Sequence, residues 1–429
     1  MVRRLKDSDA TFGENFAELL TLKREASADV GATVAALIAE VRADGDEALY
    51  RLTEKFDRFD ARARGLVITQ DEVDAAVEAC DPASLDALKL AADRIEAYHE
   101  RQLPSDEWYT DDAGVSLGWR WTPIDAVGLY VPGGRAAYPS SVLMNAIPAR
   151  VAGAERLVMV VPTPDDVLNP LVLAAARLAG ITEIYRIGGA QAVAALAYGT
   201  ATIAKVDKIV GPGNAWVAAA KRLVFGQVGI DSIAGPSEIL VVADGQNDPD
   251  WIAADLLSQA EHDPSSQSVL ITDDADFADR VDRAVDAHIA RSPRGEITRA
   301  AWDYNSAIIV CKDFESAMPL VNRLAAEHLE LAVDEPEELL PMIRHAGAIF
   351  LGRYTPEAIG DYVAGPDHVL PTAQAARFSS GLSTLDFMKR TSLLSCSPEA
   401  VRAVGPAAVR LAEEEGLWAH AQSVAYRLK

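Results

Sequence analysis

Residues 258–263 read Ser-Gln-Ala-Glu-His-Asp and set an amide oxygen and an imidazole three positions apart. They close an amphipathic stretch, 251–261, whose apolar spacing is helical. A helix continuing through them would carry Gln259 and His262 on one face, within reach of a single metal ion. Gln is an uncommon zinc ligand, so the pair needs partners from elsewhere in the chain. Glu327 and His328 are adjacent where a helical stretch, 321–326, meets an apolar run, 329–333. A neighbouring carboxylate and imidazole can divide proton transfers between them, His near its ordinary pKa and Glu raised by burial. Asp361 and His368 bracket Gly365-Pro366-Asp367 on one loop and could supply a metal ligand and a substrate contact. His420 follows Glu415 in a terminal helical segment. An unbroken helix would set the two ~140° apart, so they would not meet at one ion. Gly416 could loosen that geometry, or the two groups could serve different parts of one site.

Glycine-containing turns form a second set. Tyr130-Val131-Pro132-Gly133-Gly134 and Gly188-Gly189-Ala190-Gln191 end strand-like runs. Gly211-Pro212-Gly213-Asn214 precedes a helical run, and Ala234-Gly235-Pro236-Ser237 precedes a strand-like one. Turns at the carboxyl ends of parallel strands gather free N–H groups and helix amino termini, where α/β folds bind ligands. None is a G-x-G-x-x-G fingerprint, so spacing does not specify a dinucleotide.

The elements that must position these groups alternate. Residues 14–103 read as mainly helical. Strand-like runs at 126–131, 156–161, 183–187, 208–210 and 238–242 then alternate with helical runs at 169–179, 190–198 and 215–225. A second series follows, with strands at 268–272, 307–310 and 348–351 and helices at 274–290, 314–326 and 336–345. This predicts two mostly parallel, doubly wound α/β units of similar size. No linker rich in Pro, Gly or Ser separates them, which favours insertion of one into the other. The last segment, 406–428, is helical, amphipathic and too short to form a core alone. It must pack on the body or on another subunit.

At 429 residues the chain is long enough for two or more domains. Its formal charge of −24 argues against nucleic acid or an anionic membrane as partner. No run of about 18 apolar residues occurs and no signal-like leader opens the chain, so membrane spanning and export are not expected. Three scattered cysteines, Cys80, Cys311 and Cys396, fit free thiols in the cytoplasm.

In this order, residues 211–214, 235–238, 257–262, 326–329, 368–372 and 377–382 closely resemble the histidinol dehydrogenase family, and the resemblance spans nearly the whole chain. It implies NAD-dependent oxidation of L-histidinol to L-histidine through the aldehyde, with one zinc ion per subunit. It implies zinc ligands at Gln259, His262, Asp361 and His420, the last reaching across an intertwined homodimer. Glu327 and His328 match the acid–base pair, and Tyr130, Gln191 and Asn214 match the NAD contacts. Ser237, His328, Asp361, His368, Glu415 and His420 match substrate contacts, with Gln259 and His262 touching substrate through the shared ion. The implied fold is two Rossmann-like doubly wound units, one inserted in the other, with helical extensions at both ends. Its parts would be a helical extension at 1–24, a zinc and catalytic domain at 25–129 plus 237–381, an inserted NAD domain at 130–236, and a helical tail at 382–429 on the partner subunit. Asp367, where Asn or Ser is expected, and Trp418 near His420 depart from the pattern and bear on substrate fit. A related zinc- and NAD-dependent dehydrogenase of another small polar alcohol, such as a sulfonated diol, is the alternative; Glu415 suits a cationic substrate better.

Overall fold

The computed structural model describes residues 2–22, 30–133, 138–233 and 235–429. Gly134 and Ala234 of the glycine turns, and the expected boundary between residues 24 and 25, lie outside them.

Two parallel sheets organise the chain. One has the order Glu183–Tyr185, Arg156–Val160, Ala126–Tyr130, Lys208–Val210, Gly229–Ile230. The other has the order Arg3–Lys6, Ala307–Val310, Gln267–Thr272, Glu238–Ala243, His328–Ala332, Ala348–Leu351. Numbered by position in the chain, the first sheet runs 3-2-1-4-5, as do the last five strands of the second. That order belongs to doubly wound nucleotide-binding sheets. Both faces of each sheet are buried, which explains strands that read as continuous apolar runs. Val127, Leu129, Leu157 and Met159 enter one core, and Ala126, Tyr130, Val158 and Val160 the opposite one. Leu240, Val242, Val269 and Ile271 likewise face away from Ile239, Val241 and Leu270.

The strands of the first sheet lie within residues 126–230, between the edge strand Arg3–Lys6 and the rest of the second sheet. Insertion is therefore seen in the strand order, but the packing divides the chain differently from the expected ranges. Residues 3–6 are a strand, not part of a helical extension, because they pair in parallel with Ala307–Val310. Helices Gly31–Asp44 and Asp46–Asp57 bury Val34, Ile38, Val41, Leu49 and Leu52 against Val158, Val160 and Val193. Helices Gln70–Glu78 and Pro82–Glu100 bury Val73, Leu88 and Ile95 with Val142, Leu143 and Leu173. Residues 31–100 thus cover the five-stranded sheet rather than the sheet that carries Glu327 and His328. The tail is also not wholly helical, since Met388–Cys396 pairs with Val115–Pro123 in a three-stranded antiparallel sheet.

A helix at Gly295–Asn305 was not anticipated from the sequence. The helix expected at 336–345 shrinks to Pro336–Leu339 and a 3-10 turn at Leu340–Met342. Pro341 lacks the N–H that a longer helix needs there.

Candidate active site

A cavity of about 540 Å³ opens at the carboxyl ends of the five-stranded sheet, lined by Tyr130, Pro132, Gly133, Pro162, Gly189, Gln191, Gly213 and Asn214 among others. The three residues matched to NAD contacts therefore line one cavity. The Tyr130 hydroxyl accepts the Gly189 N–H at 3.1 Å, pinning the turn at the start of helix Gly189–Tyr198. Asn214 caps helix Ala215–Val224, its Oδ1 accepting the N–H groups of Trp216 and Val217 at 3.1 and 3.2 Å. The cap consumes the oxygen and leaves the amide N–H₂ for a ligand. Gly211 has φ +112°, and a Cβ there would strike the Tyr130 carbonyl, so only glycine lets this loop lie against the strand. The loop is held from below by a buried ion pair. Asp231 accepts the Gly211 N–H at 2.8 Å, Lys221 donates to the Gly211 carbonyl at 3.0 Å, and the two charges meet directly.

The residues matched to the acid–base pair sit at the opposite strand polarity. Glu238 and His328 each begin a strand of the six-stranded sheet, so this cluster lies at amino ends of strands, where backbone N–H groups are free for a carboxylate. Glu238 N–H donates to Glu327 Oε2 at 2.9 Å. The imidazole of His328 lies 2.9 Å through Nδ1 from the Glu238 carbonyl. A carbonyl only accepts, so Nδ1 carries a proton, and any change of protonation falls on Nε2. That Nε2 is buried without a hydrogen-bond partner, 3.6 Å from Asp361 Oδ1 and 3.7 Å from Glu357 Oε1.

Gln259 arrives on helix Pro249–Ala260, started by Asp248, whose side chain accepts the Asp250 N–H, with Pro249 in the first turn. The helix stops short of His262, which follows in the turn with its N–H donating to the Gln259 carbonyl at 3.1 Å. Gln259 is buried, and its Nε2 donates to Glu357 Oε1 at 2.7 Å. The carboxylate accepts, so Gln259 Oε1 must point away from it. That oxygen is buried with no partner among the described residues. Ser237 Oγ lies 3.4 Å from His262 Nδ1. His368 donates through Nδ1 to the Asp361 carbonyl at 3.0 Å, and its Nε2 is 3.4 Å from Ser141 Oγ on helix Pro139–Ala152. His368 thereby links the cluster to the unit that holds the cavity.

Burial alone would push the His328 imidazole down, but Glu327, Asp361 and Glu357 outweigh it and hold it at about 10. Burial lifts the Glu327 carboxyl to about 7 against the pull of His328 and the Glu238 N–H. Burial likewise lifts Glu357 to about 8, with Asp361 adding to the rise. Burial would raise Asp361 too, but His328 and His368 hold it well below the usual carboxylate range. His262 keeps an exposed edge, yet the surrounding protein lowers its pKa against the field of Asp361, which favours the neutral imidazole a metal binds. Acids this dense, beside an unmatched buried amide oxygen and a neutral imidazole, form a donor set suited to a divalent cation. A cation there would offset the negative field of the carboxylates that now holds His328 protonated.

The structure thus brings together Ser237, Gln259, His262, Glu327, His328, Asp361 and His368. It does not bring Glu415 and His420 to them. Both side chains are exposed on the tail and make no hydrogen bond or ion pair with the cluster among the described residues. Sequence reasoning missed Glu357, although Glu357 and Asp361 stand i, i+4 on helix Glu357–Tyr362 and so share a face. It also missed Asp57 in the cavity wall, for which no local pattern gave a signal.

Fold and cluster together define an α/β enzyme with a buried cluster of carboxylates and imidazoles, linked through His368 to the unit that carries a separate cavity. The family model for histidinol dehydrogenase matches residues 20–428. Histidinol dehydrogenase from Rhodospirillum rubrum is 64% identical over 429 residues, covering 100% of this chain and 99% of its own. That from Mesorhizobium japonicum is 61% identical over 428 residues and covers 100% of both chains. The crystal structure of histidinol dehydrogenase from Elizabethkingia anophelis matches with TM-score 0.95 at 35% identity, over 100% of this chain and 98% of that one. The chain belongs to the histidinol dehydrogenase family and is an oxidoreductase of amino-acid biosynthesis.

Proposed function

We propose that this enzyme oxidises L-histidinol to L-histidine through L-histidinal, with two NAD as hydride acceptors and one zinc ion per subunit. The observation that carries this reading is the convergence of Gln259, His262 and Asp361 beside Glu327 and His328, with the Gln259 oxygen buried and unmatched. Gln259, His262 and Asp361 would hold zinc together with His420 of the partner subunit. When bound, zinc would anchor the substrate and NAD would supply the hydride acceptor.

The chain's own groups handle the protons. With a cation offsetting the surrounding carboxylates, His328 gives up its Nε2 proton and can take the hydroxyl proton as hydride leaves the carbinol carbon. Glu327 takes a proton from the water that attacks the aldehyde carbon, and His328 assists again as the second hydride departs. Ser237, Asp361 and His368, with Glu415 and His420 of the partner subunit, orient the substrate, and the carboxylates match its positive charge. Tyr130, Gln191 and Asn214 hold the dinucleotide in the cavity. A homodimer is supported by a tail whose apolar side chains lack cover: Leu411, Trp418 and Leu394 are 64%, 71% and 68% exposed. Three unpaired cysteines fit a cytoplasmic location, and no helix among the described residues is long and apolar enough to cross a membrane.

The test is NADH formed per histidinol consumed. Two equivalents support the four-electron reaction. One equivalent, or no turnover of histidinol but turnover of a sulfonated diol, refutes it in favour of a related alcohol dehydrogenase.

A further inference from the structure

Asp57 ends helix Asp46–Asp57 and lines the cavity together with Phe56, Tyr130 and Trp216. It is 8% exposed, and its Oδ2 is fully buried with no hydrogen-bond partner among the described residues. The nearest cation is committed elsewhere. Arg58 takes a left-handed conformation at φ 53° and turns its guanidinium to Asp165, with Nε donating at 2.7 Å. Burial lifts the Asp57 carboxyl to about 6, opposed only by Arg58. An acceptor buried without donors is costly to the fold, and nothing in the packing uses it. The carboxyl keeps a small exposed share at the cavity wall, and a turn about its Cβ–Cγ bond brings an unmatched oxygen to a ligand hydroxyl there. Phe56 and Trp216 line the same cavity and keep exposed ring surface, which offers flat apolar faces for a purine. Neither Lys nor Arg lines the cavity among the described residues.

We propose that Asp57 accepts a hydrogen bond from a ribose hydroxyl of the adenosine half of the dinucleotide, and that its carboxylate excludes a phosphate there. The enzyme thereby selects NAD over NADP. The inference rests on the nucleotide reading of the cavity. In the usual doubly wound unit an acid shortly after the second strand meets the ribose. Here the acid comes instead from a helix that precedes the sheet in the chain.

The test titrates NADH and NADPH against the full-length protein and its Asp57→Asn and Asp57→Ala variants, following tryptophan fluorescence. Wild type should prefer NADH by tenfold or more. Asp57→Ala should weaken NADH about tenfold and cut the preference over NADPH at least tenfold, as loss of a hydrogen bond to a charged group predicts. Asp57→Asn, nearly isosteric, should keep more NADH affinity while still admitting NADPH. An unchanged preference, or equal weakening of both ligands, overturns the specificity role while leaving the nucleotide site intact. Wild type that binds neither ligand overturns the site and the proposal together.

Discussion

Glu357 decides which way the Gln259 amide faces. Its Oε1 accepts from Gln259 Nε2 and its Oε2 from Ser258 Oγ at 2.9 Å, while its own N–H donates to Glu330. Glu357→Gln removes the preference for N–H₂ on that side, so the Gln259 oxygen is no longer held toward the cluster. Zinc affinity, read by competition with a chromogenic chelator, should fall about 10–100-fold, the usual effect of losing a partner behind a metal ligand. Ser258→Ala should change it far less; equal affinity in Glu357→Gln and wild type would remove Glu357 from this role. Asp367 offers a pH test. Burial holds its carboxyl well above the usual range, and its Oδ2 stands 3.9 Å from a buried His99 Nε2 that also lacks a partner. A carboxyl raised in the folded state takes up a proton on folding, so its cost is present at high pH and fades as pH falls through the folded pKa. Asp367→Asn should therefore exceed wild type by on the order of 1 kcal/mol or more at pH 8 in urea melts. The gap should close toward the ordinary carboxylate range, and a pH-independent difference would reject the assignment. Residue chemistry of this kind was half legible in advance. Gln259 with His262, and Glu327 with His328, are near neighbours in sequence, whereas Glu357 and Asp57 acquire meaning only through burial.

At the level of elements, the loop 211–214 depends on groups well downstream. Lys221 lies on the helix the loop starts, and Asp231 follows the edge strand Gly229–Ile230. Removing one member of a buried pair leaves the other charge uncompensated. Asp231→Ala should cost about 3–5 kcal/mol in urea unfolding and raise KM for NAD. The double variant Asp231→Asn with Lys221→Met should recover much of the stability; recovery by neither measure would mean that the pair does not hold the loop. Strand and helix runs were legible here because buried parallel strands are apolar throughout and their helices carry a periodic face. So was the position of Ser237 and of Glu327–His328 just ahead of strand-like runs, but not that Glu238–Ala243 and His328–Ala332 pair side by side, because strand order is set by packing. Gly235 and Ser237 precede Glu238, and the cluster consequently forms at strand amino ends.

At the scale of the whole molecule, the tail leaves Glu415 and His420 away from the cluster while its apolar face stays uncovered. Helix Pro398–Glu414 packs back on its own chain, with Gly405 close to Val424 and Leu428. A shared site predicts complementation. His262→Asn and His420→Ala should each be nearly inactive, and an equimolar, re-equilibrated mixture should regain about a quarter of wild-type activity, because about half its dimers are heterodimers and one of the two sites in each is intact. Mixtures no more active than either parent would mean that His420 serves its own subunit or none.

Residue order was enough to single out candidate acid–base and metal-ligand groups, to predict the alternation of strands with helices, and to point to the family. Local chemistry and periodicity are written along the chain. Only the tertiary structure decided that residues 31–100 cover the five-stranded sheet, that the first residues form an edge strand, and that Glu357 joins the carboxylate–imidazole cluster while Asp57 lines the cavity. Apolar spacing says that a face will be buried but not against what, and a carboxylate's role depends on the neighbours that folding gives it.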